Sequence, residues 1–314
     1  MKKPALPGHL LTLQEYSPAQ VAGLIKLAAQ VKAKPAKWSK ALAGKSLAMI
    51  FEKSSTRTRV SFEVSMTQLG GHGLHLNGGE LQLGRGETVA DTARVLSRFV
   101  QGVMIRTFGH DKVEELARYA TVPVINGLTD SHHPCQALAD YLTLQERFGK
   151  LKGTTLVYVG DGNNVTHSLL IAGALLGVKV RAVCPKGYEP EPAVMAWAKK
   201  AALETGGAVE LVNDVAGAAK GAQAVYTDVW TSMGQETEQA ARVKAFQGFQ
   251  VNDRMMAEAP KAIFLHCLPA HRGEEVSASV MDGRQSAVWD QAENRLHAQK
   301  AVLLTLLGNN KRKP

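Results

Sequence analysis

Short apolar runs alternate with longer segments of helical pattern along nearly the whole chain, and this rhythm restricts the fold more than any single motif. Ser46 to Phe51, Gly102 to Arg106, Val122 to Asn126, Thr154 to Val159, Lys179 to Cys184, Ala224 to Thr227 and Ala262 to His266 are apolar without polar alternation. Gly73 to Leu76 and Val209 to Val212 read as further strands. Strands buried on both faces belong to parallel sheets covered by helices. The helices fall between them. Ser17-Pro18-Ala19-Gln20 is a capping box with proline at the first helical position, opening a helix to about Val31. Further helices are expected at Arg57 to Leu69, Thr88 to Arg98, Asp111 to Tyr119, His133 to Phe148, Val165 to Leu176, Pro192 to Thr205, Val215 to Lys220 and Arg295 to Leu307.

A chain of 314 residues suggests two domains. The expected fold is α/β: two doubly wound domains, each a parallel sheet flanked by helices. The helix to Phe148 carries the boundary, and Gly149-Lys150-Leu151-Lys152-Gly153 reads as the linker.

Charge and composition exclude several function classes. The chain has 37 Lys and Arg against 28 Asp and Glu, a net charge of +9. Lys2 and Lys3 at one end, and Lys311, Arg312 and Lys313 at the other, supply more than half of that surplus. The remainder is too thin for a nucleic-acid stripe, and an aromatic fraction of 6% argues against base stacking. Pro4 and Pro7 interrupt the start before an apolar leader core could form. The longest apolar run, Leu169 to Val178, falls short of a membrane span. Cys135, Cys184 and Cys267 are odd in number and widely spaced, so neither a disulfide framework nor a zinc site is expected. A reducing, cytoplasmic compartment is the natural reading.

Five motifs carry chemistry. Ser54-Ser55-Thr56-Arg57-Thr58-Arg59 follows a strand and opens a helix. Free backbone N–H groups and the helix dipole make such a turn an anion site, and Arg57 adds a planar fork suited to phosphate. A capped helix with two solvated arginines is the plainer reading of the same residues. Asp130-Ser131-His132-His133-Pro134-Cys135-Gln136 follows the strand ending at Asn126 and starts a helix. Either histidine there could act in catalysis or donate a hydrogen bond; a metal is not expected, because no HxxxH spacing accompanies them.

The third motif is Gly160-Asp161-Gly162-Asn163-Asn164, after the strand ending at Val159. It resembles a dinucleotide fingerprint, but the third glycine falls on Val165, whose branched side chain obstructs helix packing and pyrophosphate approach. No nicotinamide cofactor is expected. Asp228-Val229-Trp230-Thr231-Ser232-Met233-Gly234 places an acid at a strand end, where it could meet an ammonium; a surface loop with Trp and Met packed inward is the plainer reading of these residues in isolation. In His266-Cys267-Leu268-Pro269-Ala270-His271, the cysteine reads as a thiolate nucleophile or as a small buried residue whose backbone matters more than its sulfur.

Taken in order and spacing, these motifs resemble the aspartate/ornithine carbamoyltransferase family. Ser55-Thr56-Arg57-Thr58-Arg59 is similar to its carbamoyl phosphate turn. Gln82-Leu83-Gly84-Arg85-Gly86-Glu87, His133-Pro134-Cys135-Gln136, Asp228 to Gly234 and His266 to Pro269 resemble the ornithine branch. The resemblance runs from about Leu10 to Leu307. It implies transfer of a carbamoyl group from carbamoyl phosphate to the δ-amine of L-ornithine, with putrescine, N-acylated ornithine or aspartate as alternative acceptors.

The same resemblance implies a division of labour. Residues 1–148 would form the carbamoyl phosphate domain, completed by a helix at 290–308 that packs back on it; 149–289 would bind ornithine. Ser55, Thr56, Arg57, Thr58 and Arg295 would hold carbamoyl phosphate, with Gln82 reaching in from a neighbouring subunit. That arrangement implies a homotrimer with sites at subunit interfaces. Arg106, His133, Pro134, Cys135 and Gln136 would surround the carbamoyl group, and Cys267 and Leu268 would line the reacting centre. Asn164, Asp228, Ser232 and Met233 would hold ornithine. Arg106, His133, Asp228 and Cys267 are the expected catalytic residues, with no cofactor, metal, nucleic acid or membrane among the partners.

An alkyl ammonium loses its proton near pH ~10.4, so the attacking amine must be deprotonated. Cys267, Asp228 and the leaving phosphate are all candidate acceptors. Charge developing on the carbonyl oxygen needs fixed donors, here Arg106, His133 and Thr58, each worth about 2.7–4 kcal/mol. Arg57→Ala should therefore cripple carbamoyl phosphate binding while the circular dichroism spectrum stays that of the parent; normal activity in that variant removes the assignment.

Overall fold

The computed structural model describes residues 8–84 and 86–308. Lys2, Lys3, Pro4, Pro7, Arg85, Lys311, Arg312 and Lys313 lie outside the described residues. The chain divides into two compact units, Met1–Ala139 with Arg295–Pro314 and Asp140–Asn294.

The first unit is built on four parallel strands: β1 (Ser46–Phe51), β2 (His72–Asn77), β3 (Gly102–Arg106) and β4 (Val124–Leu128). Their order is β2-β1-β3-β4. Helices α1 (Pro18–Ala33), α2 (Thr56–Gln68), α3 (Val89–Phe99) and α4 (His110–Tyr119) accompany them. The predicted capping box forms: the Gln20 backbone N–H donates to Ser17 Oγ at 3.3 Å, and the Ser17 N–H donates to Gln20 Oε1 at 2.7 Å. Thr88 caps α3 by accepting from the Asp91 N–H at 3.1 Å. Ala48, Ile50, Val103, Ile105 and Val124 from the sheet pack with Val113 and Leu116 of α4 in one buried cluster. Full burial of such side chains is worth about 1.5–3 kcal/mol each.

Strand β4 begins and ends two residues later than its apolar pattern suggests, running on through Gly127. A Cβ at Gly127 would stand 2.5 Å from Met104 Sδ, so the missing side chain lets β3 and β4 stay paired. The pairing shifts register between Ile105 and Arg106 and resumes with Arg106 opposite Leu128. The chain then enters α5 (Pro134–Phe148).

The last helix, α11 (Val288–Leu307), packs back on this unit. Ser65 Oγ of α2 donates to the Leu296 carbonyl at 3.2 Å. Lys45 Nζ donates to the Leu307 carbonyl, and Lys300 Nζ to Gln68 Oε1. A lysine against the terminal carbonyls of a helix also offsets the negative end of its dipole.

The second unit carries five parallel strands: β5 (Thr155–Val159), β6 (Lys179–Val183), β7 (Ala208–Val212), β8 (Ala224–Thr227) and β9 (Ile263–His266). Their order is β7-β6-β5-β8-β9. Helices α6 (Asn164–Leu176) and α7 (Pro192–Thr205) follow β5 and β6. Helix α6 is buried from Val165 to Leu175, which explains the long apolar run there. Val157, Val159, Val225 and Phe264 share a core with Met255, Met256, Val276 and Met281. Among the described residues no helix is long and apolar enough to cross a membrane.

Two expectations change. The segment Val215 to Lys220 forms turns rather than a helix, because Gly217 takes a φ of +71°. Conversely, α8 (Gln239–Ala245), α9 (Asp253–Ala257) and α10 (Ala278–Met281) are too short to show a periodic apolar face in the sequence.

The glycines after β5 have a use within the unit. The Gly162 N–H donates to the Tyr188 carbonyl at 2.8 Å. A Cβ there would lie 2.2 Å from the Pro190 nitrogen and 2.3 Å from the Glu189 carbonyl carbon. Close approach by the chain's own backbone therefore accounts for this glycine. Gly162→Ala should cost about 1–3 kcal/mol, read as a lowered urea midpoint; an unchanged midpoint means the 188–190 segment yields freely.

Candidate functional site

In both sheets the strand order reverses between two neighbours, β1 and β3 in one, β5 and β8 in the other. Ligands of open α/β sheets bind outside the carboxyl ends of strands at such points. The chemistry-bearing motifs gather there, one group on each unit.

On the first unit, Ser55 caps α2. Its Oγ accepts from the Thr58 N–H at 3.2 Å and stands 3.1 Å from Thr58 Oγ1. Arg295 of α11 is 4% exposed, and its guanidinium forks: Nη2 donates to Thr58 Oγ1 at 2.8 Å and Nη1 to Gln136 Oε1 at 3.1 Å. The start of α2 and the start of α5 are thereby tied to one cation. His133 is buried beside them, and burial, then the charges of Arg295, Arg106 and Arg57, push its pKa well below the usual imidazole value. It is a neutral imidazole able to donate a hydrogen bond without adding charge. Arg106, at the end of β3, is buried too.

The loops around this cluster are stitched together. The Glu52 and Lys53 N–H groups both donate to the Arg106 carbonyl, at 2.9 and 3.4 Å. Lys53 Nζ bonds Asp130 Oδ1 and lies 4.4 Å from the centre of the Phe108 ring. Lys112 Nζ bonds both oxygens of Glu52, at 2.8 and 2.9 Å.

Thr56 is the exposed first residue of α2, and Pro134 the buried first residue of α5. Cys135 is fully buried with its Sγ 3.7 Å from the Asn126 carbonyl, and burial raises its thiol to about 12, so it packs rather than reacts. Gln82 is exposed on the turn Gln82–Gly84, and among the described residues its side chain makes no hydrogen bond to this cluster.

On the second unit, Asp228 follows β8 and is 6% exposed. Its Oδ1 accepts the Cys267 thiol at 2.9 Å, and its Oδ2 accepts from Asn163 Nδ2 at 2.9 Å. The side chain that holds Asp228 is that of Asn163, the cap of α6, and Asn164 is the first residue of that helix. Leu268 has a φ of +63°, a left-handed conformation that costs a branched residue. Its N–H donates to His266 Nδ1 at 2.9 Å, and His266 Nε2 donates to Glu275 Oε1 at 3.2 Å. These bonds hold the Cys267-Leu268 backbone in place. Ligand-capable atoms of Asp228, His266 and Cys267 lie within 4.8 Å of one another, a grouping that sequence spacing does not reveal.

Ser232 and Met233 lie on the loop beyond Trp230, with the Ser232 N–H donating to Gln235 Oε1 at 3.1 Å and Met233 half exposed. Among the described residues the partners of the Asp228 carboxylate are Asn163 and Cys267, not Ser232 or Met233. Arg242 of α8, missed in the sequence, secures that loop. It donates to Asp161 Oδ2 at 2.9 Å, to the Trp230 carbonyl at 3.1 Å and to Glu238 at 2.9 Å. Burial pushes the Asp161 carboxyl up to about 6 against the pull of Arg242.

Two family descriptions account for the chain. Residues 8–146 match the aspartate/ornithine carbamoyltransferase carbamoyl-P binding domain, and residues 152–306 match the Asp/Orn binding domain of the same enzymes. The chain belongs to the aspartate/ornithine carbamoyltransferase family. Its relatives include the ornithine carbamoyltransferase of Pyrococcus abyssi, 57% identical over 305 residues, covering 96% of each chain. The anabolic ornithine carbamoyltransferase of Pyrococcus furiosus is also 57% identical, over 96% of this chain and 97% of the relative. A solved ornithine carbamoyltransferase structure from Pyrococcus furiosus superposes with a TM-score of 0.93 at 56% identity, covering 96% of this chain and 98% of the other.

A depressed imidazole pKa has a defined sign. The unfolded chain takes up a proton near pH 6.5 that folded His133 refuses, so its contribution is intact above about 6.5 and is lost as pH falls below it. His9 and His110 are lowered by burial and act in the same direction. His133→Gln should reduce the slope of unfolding free energy against pH, between about 5 and 6.5, by about one bound proton. An unchanged slope means His133 titrates as a solvated imidazole.

Proposed function

We propose that the chain transfers the carbamoyl group of carbamoyl phosphate to the δ-amine of L-ornithine, giving L-citrulline and phosphate. The observation that carries this reading is Asp228, a nearly buried carboxylate presented at a strand end with its oxygens oriented by Asn163 and Cys267. Each carboxylate oxygen retains acceptor capacity for an ammonium. A second substrate carboxylate, as in aspartate, would be repelled there. The anabolic name of the Pyrococcus furiosus relative supports citrulline synthesis as the working direction.

Carbamoyl phosphate would lie at the amino end of α2, with the donors of Ser55, Thr56, Arg57 and Thr58 on its phosphate and Arg295 adding charge. Arg106 and neutral His133 would polarise the carbamoyl carbonyl, with Gln136, Pro134 and Cys135 shaping the space around it. Ornithine would be held through its α-amino and α-carboxylate groups by Asn164, Asp228, Ser232 and Met233. Cys267 and Leu268 would offer backbone groups to the reacting centre. The neutral amine attacks the carbamoyl carbon, the carbon–oxygen bond to phosphate breaks, and the departing phosphate oxygen takes the amine's proton, so that the product leaves as the hydrogen phosphate dianion. Binding supplies the entropic part of the acceleration by holding the reactants in contact geometry.

We also propose a homotrimer in which Gln82 of one subunit completes a neighbour's phosphate site; its exposure on a surface turn supports that role. The three cysteines, none in a disulfide, support a cytoplasmic location. Residues 1–148 with 290–308 are assigned to carbamoyl phosphate, and 149–289 to ornithine.

A colorimetric citrulline assay across ornithine, N-acetylornithine, putrescine and aspartate tests the acceptor; carbamoylation of aspartate in preference to ornithine overturns the reading. Asp228→Ala should lose affinity for ornithine far more than for carbamoyl phosphate, and equal losses assign Asp228 another role.

A further inference from the structure

The side chain that fixes Asp228 is itself fixed by a helix. Asn163 is the N-cap of α6, with φ −87° and ψ −169°. Its Oδ1 accepts from the Val165 N–H at 3.0 Å and the Thr166 N–H at 3.2 Å. An asparagine amide has one acceptor end and one donor end. With the acceptor end committed to the helix, the donor end can point only the other way, and it meets Asp228 Oδ2 at 2.9 Å. The usual ambiguity of amide orientation is removed by the cap. Gly160, with a φ of +142°, lets the chain reach this cap after β5, at the point where β5 and β8 lie side by side.

We infer that Asn163 is a positioning residue for the acceptor amino acid: it transmits the rigidity of α6 to the Asp228 carboxylate, which would otherwise be free to rotate about its terminal torsion. This inference rests on the proposal that Asp228 receives the α-ammonium of ornithine. The two oxygens of Asp228 are not equivalent. Oδ1 is engaged by the thiol of Cys267, a weak donor, and Oδ2 by the amide of Asn163, a strong one. Turning the carboxylate by half a turn would exchange these partners but leave the geometry intact; losing the amide leaves only the thiol to set the plane. The α-ammonium then meets a carboxylate of undefined plane, and ordering it on binding weakens affinity.

Capping and positioning can be separated because they use opposite ends of the amide. Serine caps about as well as asparagine but cannot reach Asp228. Asn163→Ser should keep the parent's thermal midpoint within a few degrees and raise the KM for ornithine about tenfold, the effect of one hydrogen bond to a charged group. The KM for carbamoyl phosphate should move less than about twofold. An unchanged ornithine KM, or equal rises in both constants, overturns the positioning role. Asp228→Asn run in parallel distinguishes the two levels: if it too leaves ornithine KM unchanged, the acceptor assignment of Asp228 fails, whereas a rise in that variant alone defeats only the role of Asn163.

A second readout needs no substrate. Cys135 and Cys184 are fully buried and Cys267 is partly exposed, so iodoacetamide reports on Cys267. Asn163→Asp preserves the cap and sets a carboxylate against Asp228. The groups that face Asp228 are Cys267 and His266 after and on β9, Asp161 with its partner Arg242 after β5 and on α8, and the phenols of Tyr158 and Tyr226 in the sheet. None of these changes in the variant. The midpoint of the alkylation rate against pH should rise by at least about half a unit, because added negative charge disfavours the thiolate. A midpoint identical to the parent's overturns the contact between residue 163 and the Asp228–Cys267 pair.

Discussion

Parallel pairing governs everything else in this protein. A parallel strand cannot return through a hairpin, so each connection crosses a face of the sheet, and the carboxyl ends of β1, β3, β4, β5 and β6 each hand the chain to a helix start. Backbone N–H groups with no partner inside the helix therefore collect along one edge of each sheet. Ser55 at the head of α2 and Asn163 at the head of α6 are two consequences of one rule. They differ in what accompanies them. The first is surrounded by arginines, and the second faces an acid, which suits one edge to an anion and the other to an ammonium.

The cationic edge is the more demanding to build. Arg106 and Arg295 are both almost fully buried, and Arg57 is near enough for its charge to depress the same histidine. Clustered buried cations are unfavourable unless hydrogen bonds and opposite charge compensate them. Arg295 meets part of that need through Thr58 and Gln136. His133 avoids adding to the repulsion by staying neutral. In the proposed reaction a phosphate dianion supplies the rest, so the cost of assembling the cluster is offset at the moment substrate binds.

Much of this was legible in the residues themselves. Ser46 to Phe51, Gly102 to Arg106, Pro192 to Thr205 and Ala224 to Thr227 occupy the element bounds that their patterns suggest, because unbroken apolar runs in the strands, and Pro192 and the left-handed Gly206 at the ends of the helix, leave little choice. The Ser55 turn and Asp228 were visible for the same reason: polar residues immediately beyond a buried strand. What escaped was contact across long sequence separations. Nothing near Arg295 announces Thr58, 237 residues earlier, and nothing near Asp161 announces Arg242. That Asn163 and not Asn164 caps α6 is a distinction of backbone dihedrals that adjacent identical residues cannot display. Short helices such as α9 and α10 escaped because fewer than two turns give no period to detect.

The return of α11 has a bearing on how the chain is made. Translation delivers residues in order, and domains commonly fold as they emerge. Residues up to Ala139 emerge before the second unit, yet the surface formed by Ser65, Gln68 and Lys45 waits for Leu296, Lys300 and Leu307, which are synthesised after it. The unit Asp140–Asn294 is continuous and complete earlier. The part of the protein encoded second is thus the first whose every segment is in hand, and a ribosome stalled near codon 294 would hold one finished unit and one still lacking its closing helix.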